Sequence, residues 1–87
     1  DLAVLVDQTV SAGRVLEVVR GAAGPHLRDL QLFDVYQGQG IDSGKKSLAL
    51  GLLFQASSST LNEPEIEQAI AATLAALASE VGGALRK

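Results

Sequence analysis

Few residues in this chain are equipped for chemistry, and most of those stand where a reaction is hard to build. His26 is the single histidine. It follows Pro25 in a loop and has no carboxylate or cysteine after it at metal-ligand or triad spacing, so it lacks the positioned partner a general base requires. Residues 42–47, DSGKKS, look like the end of a phosphate-binding loop, but the first glycine of that motif and the helix that must follow are missing. Glu63, Glu65 and Glu67 stand at a helix start, where carboxylates meet the positive end of the helix dipole without any need of a metal. What is left is FDVYQG, residues 33–38, which sets a carboxylate, Asp34, two positions before a phenol, Tyr36. Strand side chains alternate between faces, so the two point the same way. No enzyme is expected from these residues alone.

The chain that must position this pair is small. Its 87 residues, 47% apolar and 20% charged, make one globular domain, burying roughly 60–65% of the unfolded chain's surface. The most apolar runs, Leu48 to Phe54 and Ala69 to Ala78, are each no more than about half of the roughly 20 residues a membrane-spanning helix needs. There is no signal-peptide pattern and no cysteine, hence no disulfide scaffold and no cysteine-ligated metal, which fits a reducing, cytoplasmic setting. With no methionine and a start directly in a strand, the chain is expected to be a piece of something larger. Its net charge of −3 weighs against holding nucleic acid mainly by neutralising phosphates. The charges are segregated, however. Glu63, Glu65, Glu67 and Glu80 fall on one C-terminal helix, while Lys45, Lys46, Arg86 and Lys87 gather at loop and strand ends, where a local basic rim can form.

Leu2 to Asp7 reads as a strand with Leu2, Val4 and Val6 on one face and Ala3, Leu5 and Asp7 on the other. A helix follows, with Ser11 as N-cap and Val10 and Val15 as a hydrophobic staple around it. Val15, Leu16, Val19 and Ala23 form its apolar stripe, and Gly24-Pro25 stops it. Asp29 to Tyr36 is the second strand and residues 37–46 a glycine-rich loop. In the third strand, Ser47 to Gln55, the core set Leu48, Leu50, Leu52 and Phe54 alternates with Ser47, Ala49, Gly51, Leu53 and Gln55. After a second loop, Ser57 to Asn62, a helix begins with Asn62 as cap and Pro64 in the first turn. Ile66, Ile70, Leu74, Leu77 and Val81 form its stripe, Gly82-Gly83 ends it, and Ala84 to Lys87 is a short last strand.

The order βαββαβ predicts an α+β, ferredoxin-like fold: one four-stranded antiparallel sheet with two helices on one face. Right-handed crossovers put the first and third strands in the centre. One sheet face is then open, and it carries Ala3, Leu5, Asp34, Tyr36, Ser47, Ala49, Gly51, Ala84 and Arg86. Small side chains around one tyrosine and one aspartate suit the close approach of something flat or of a neighbouring domain. Acylphosphatases share this element order, but DQTVSAGR, residues 7–14, has no counterpart to their glycine-and-arginine loop.

Asp1 to Ala3, LFDVYQG at 32–38, GKKSLA at 44–49, Thr60 to Ile66 and Gly82 to Arg86 together make a specific pattern. Over essentially its whole length the chain resembles the ferredoxin-fold anticodon-binding domain that closes the β subunit of bacterial phenylalanyl-tRNA synthetases. The departures are an arginine expected before Asp1, where the chain begins, and Asn62 where threonine is commoner. The resemblance implies binding of the tRNA(Phe) anticodon loop by residues 1–87, as part of a heterotetramer with an α subunit and a second αβ pair. That parent would join phenylalanine to tRNA using ATP and Mg2+, with catalysis in the other subunit and no cofactor or metal in this domain. Carried over position by position, the implied RNA contacts are Ala3, Asp34, Tyr36 and Ser47, with Lys45, Lys46, Arg86 and Lys87 as weaker candidates for phosphates.

A carboxylate accepts from N1–H and N2–H of guanine together, and a tyrosine ring offers a face on which a base can stack. The plainer readings are an edge-strand aromatic for Tyr36 and, for Asp34, a cap or a bridge to Lys46 or Arg86. The alternative function is a ferredoxin-like protein-docking or dimerisation module.

Overall fold

Large apolar residues alternating along two strands build the centre of the molecule. The computed structural model describes residues 2–55 and 63–86. Its elements are β1 (Leu2–Asp7), α1 (Ala12–Ala22), β2 (Leu27–Tyr36), β3 (Lys45–Phe54), α2 (Glu63–Val81) and β4 (Ala84–Leu85). The strands form one antiparallel sheet in the order β2-β3-β1-β4, the predicted ferredoxin-like topology. Val4 and Val6 of β1 and Leu48 and Leu50 of β3 are fully buried beneath Val15 and Val19 of α1 and Leu77 of α2.

The first helix forms for the reasons legible in its residues. The Ser11 hydroxyl accepts from the Arg14 backbone N–H at 3.1 Å, Val10 packs on the core beside fully buried Val15, and the buried face adds Val18 to the predicted stripe. The second helix departs from its predicted stripe. Leu77 is buried and Val81 packs on the core, but Ile66, Ile70 and Leu74 are only half-buried, whereas Thr73 is wholly enclosed. Its hydroxyl donates to the Ala69 carbonyl at 2.8 Å, so no polar group is left unpaired. A helix apolar on most sides does not announce which line turns inward. Arg14 ties the two helices, bridging Glu17 at 2.7 Å and Glu80 at 3.1 Å.

Three boundaries differ from the sequence reading. The β2–β3 ladder begins at Leu27, paired with Phe54, two residues before Asp29. Strand β3 starts at Lys45, opposite Asp7, because backbone pairing continues past charged residues. Regular pairing of β4 covers Ala84 and Leu85, followed by one bond from the Arg86 N–H to the Ala3 carbonyl at 2.7 Å. The loop from Ser57 to Asn62, the Asn62 cap and Lys87 lie outside the described residues.

Candidate nucleic-acid interface

Strand β2 contains a contradiction that its backbone resolves. Leu30 is buried and Leu32 packs on the core, so strict alternation would carry Asp34 and Tyr36 inward with them. The register prevents this: Leu32 pairs with Leu50 but Asp34 already pairs with Ala49, leaving Phe33 as the extra residue of a β-bulge. Beyond the bulge Val35 pairs with buried Leu48, and Tyr36 pairs with Ser47. The insertion inverts the strand's facing, and Asp34 and Tyr36 reach the open face because of it.

Register then groups the four candidate contacts into two adjacent rows. Ala3, Ala49 and Asp34 lie side by side across β1, β3 and β2; Leu5, Ser47 and Tyr36 form the next row, about 7 Å along the strands. Tyr36 is held at two points. Its hydroxyl donates to the Gln39 carbonyl at 2.8 Å, and the guanidinium carbon of Arg86 stands 5.6 Å from the ring centroid. Gly38, between Tyr36 and Gln39, has a φ of +132° that L side chains rarely adopt. Arg86, which follows β4 at the opposite edge, thus reaches over the face to Tyr36 as a cation–π partner. Ser47, which pairs with both Tyr36 and Leu5, is only 4% exposed.

Asp34 is exposed, and its carboxylate makes no hydrogen bond or ion pair among the described residues. The bridge to Lys46 or Arg86 does not form. Lys46 pairs with buried Val6, which puts it on the helix-covered side of the sheet, away from Asp34 and Tyr36. Lys45, one residue earlier, lies on the open side opposite Asp7. The Asp7 carboxyl is held below the usual carboxylate range, first by the Thr9 backbone N–H at 3.0 Å and the Thr9 hydroxyl at 2.8 Å, then by the charges of Lys45 and Lys46. Among the described residues no three His, Cys, Asp or Glu side chains gather as a metal site, and no helix is long and apolar enough to cross a membrane.

The sequence reading missed Phe33. It lies on the open face in line with Asp29 and Gln31, 58% exposed, with its ring against Gly51 of β3. Two signals pointed there. Leucines at 30 and 32 and polar residues at 34 and 36 cannot all obey one alternation, and a glycine inside a strand marks a close approach.

The model of the ferredoxin-fold anticodon binding domain matches residues 1–86. The phenylalanine-tRNA ligase beta subunit of Pseudomonas savastanoi pv. phaseolicola is 52% identical over 87 residues, all of this chain and 11% of the relative. The same-named subunits of Colwellia psychrerythraea and Vibrio cholerae are 46% and 43% identical over 86 residues, 99% of this chain and 11% of each relative. The chain thus spans about a tenth of the length of these curated relatives. With sheet order, element order and a match running nearly end to end, the chain belongs to the ferredoxin-fold anticodon-binding domain family.

Proposed function

We propose that this chain recognises the anticodon loop of tRNA(Phe) through its open sheet face, as a non-catalytic part, residues 1–87, of a phenylalanine-tRNA ligase β subunit in the cytoplasm. The supporting observation is that Ala3, Asp34, Tyr36 and Ser47 form two adjacent rows on the uncovered face. On this reading Asp34 accepts from N1–H and N2–H of a guanine, an acceptor pair that no other base matches with two donors. Tyr36 is the stacking surface, and Arg86, now over its ring, either shares the base between two planar groups or swings to a phosphate. Ala3 leaves space for the nucleotide, and the Ser47 hydroxyl meets its edge or sugar. Lys45 supplies charge beside the site, and Lys87 would add to it. Activation of phenylalanine with ATP and Mg2+, and assembly with an α subunit and a second αβ pair, belong to the parent enzyme.

The test is a titration of an anticodon stem-loop with the chain at two salt concentrations. Tyr36→Ala and Asp34→Ala should each weaken binding by about 1–3 kcal/mol while the melting temperature stays nearly unchanged. Asp34→Ala should also abolish the preference for guanine. Wild-type binding from both variants would refute the assignment. A concentration-dependent dimer in sedimentation, with no RNA bound, would favour a protein-docking module instead.

A further inference from the structure

We propose that Phe33 is a second base-stacking platform, serving a different nucleotide of the loop from Tyr36, with Gln31 and Asp29 reading that base's edge. The inference rests on the RNA-binding reading above and extends it to the opposite end of the open face.

The ring is fixed and half bare. Phe33 lies on the same outward side as Gln31, and its Cε2 and Cζ lie so close to Gly51 that a Cβ there would overlap them. One side of the ring is therefore pressed on β3 backbone while the residue stays 58% exposed. Covering a strand glycine with an aromatic ring stabilises a sheet by itself, but it does not account for the ring's surroundings. Phe33, Gly51, Leu52 and Leu53 line a shallow cavity of about 290 Å³ together with two polar side chains, Asp29 and Gln31. Gln31 Nε2 donates to an Asp29 carboxylate oxygen at 3.2 Å, which sets the amide in one orientation and leaves its oxygen and second N–H free. An amide so presented matches the donor and acceptor pair of adenine, and the spare lone pairs of Asp29 can accept from an exocyclic amino group. Leu53, 56% exposed, walls the side opposite Asp29.

Spacing separates this site from the first. Phe33 rests on Gly51 and Tyr36 stands across from Ser47, four residues away along β3, which is about 14 Å. One base cannot touch both rings. Asp34 lies between them, opposite Ala49, so the sites are continuous on one strand. Four-stranded sheets that read single-stranded RNA commonly stack two or three splayed bases on their exposed aromatics.

The experiment places 2-aminopurine singly at each loop position of an anticodon stem-loop and measures its quenching and affinity with the chain. Wild type should quench two separate positions. Phe33→Leu, which still covers Gly51 but has no π-face, should lose one of them and bind about 5- to 150-fold more weakly. Phe33→Tyr should retain both, and Tyr36→Ala should lose the other. Quenching at one position only, or Phe33→Leu behaving as wild type while Tyr36→Ala weakens binding, overturns the second platform and leaves the first site standing. No stem-loop binding by wild type overturns both, as does a dimer that forms through Phe33 in place of RNA binding.

Discussion

The two faces of the sheet are built from the same strands by opposite rules. On the helix side Val4, Val6, Leu48 and Leu50 are large, branched and fully buried. On the other side the neighbours Ala3, Ser47, Ala49 and Gly51 are small, Leu5 is half-buried, and Phe33, Tyr36 and Leu53 remain exposed. A sheet that merely needed solubility would place charged and β-branched residues on its wet side. Small residues set between exposed rings give up packing and leave room for a flat ligand. The difference teaches that packing is confined to one face and, on the proposed reading, recognition to the other, even between residues adjacent in sequence.

The strongest way to test that division is to cut into the covered face. Leu50→Ala removes a fully buried side chain between β1 and β2 and should cost about 2–5 kcal/mol in urea unfolding. In an 87-residue domain that is a large share of a total stability of roughly 4–13 kcal/mol. The fraction that remains folded should bind the stem-loop with wild-type affinity, because Leu50 points away from it. The open-face changes, Asp34→Ala and Tyr36→Ala, should show the reverse pattern. A Leu50→Ala protein that stays as stable as wild type would break the comparison at its base.

One residue further along, Gly51→Ala makes the same point at smaller amplitude. The new Cβ cannot coexist with the Phe33 ring in its present place, but the ring is the end of a side chain and can leave. Removing a strand glycine offers about 0.5–1 kcal/mol of stabilisation, offset by the lost ring contact. The melting temperature should barely move, while quenching at the second loop position disappears as in Phe33→Leu. A large loss of stability would instead make Phe33 and Gly51 a structural pair.

Most of the fold was legible because its elements carry redundant signals. Ser11 with its flanking valines, Gly24-Pro25 and the leucine alternation of β3 each state one local choice, and the choices agree. Less legible was whatever needed a neighbour to decide it. Thr73 becomes a core residue because its hydroxyl satisfies itself on Ala69. Lys46 faces the helix-covered side because its cross-strand partner is buried Val6, which its own polar surroundings in sequence do not announce. The facing of Asp34 and Tyr36 was reached correctly, yet it depends on a bulge that alternation alone would deny. Phe33 was missed for the same reason: period-two counting cannot see an inserted residue.

Asp7 gives the smallest expected effect and separates local electrostatics from the proposed role of the open face on which it lies. Thr9, two residues on, donates to its carboxylate from backbone and hydroxyl, and this, more than Lys45 and Lys46, holds its pKa down in the folded state. A carboxyl whose folded pKa lies below its unfolded value binds fewer protons when folded. Its stabilising contribution is therefore complete above the ordinary carboxyl value of 3.8 and is lost as pH falls through the folded value. Asp7→Asn should lower the urea midpoint slightly at pH 7, and the gap from wild type should narrow as pH drops below about 4. Since the main partners are hydrogen bonds and not distant charges, the gap at pH 7 should survive 1 M salt, at which the Debye length is about 3 Å. A gap that salt erases would shift the cause from Thr9 to the lysines and bring Lys45 into play as a charge available to RNA.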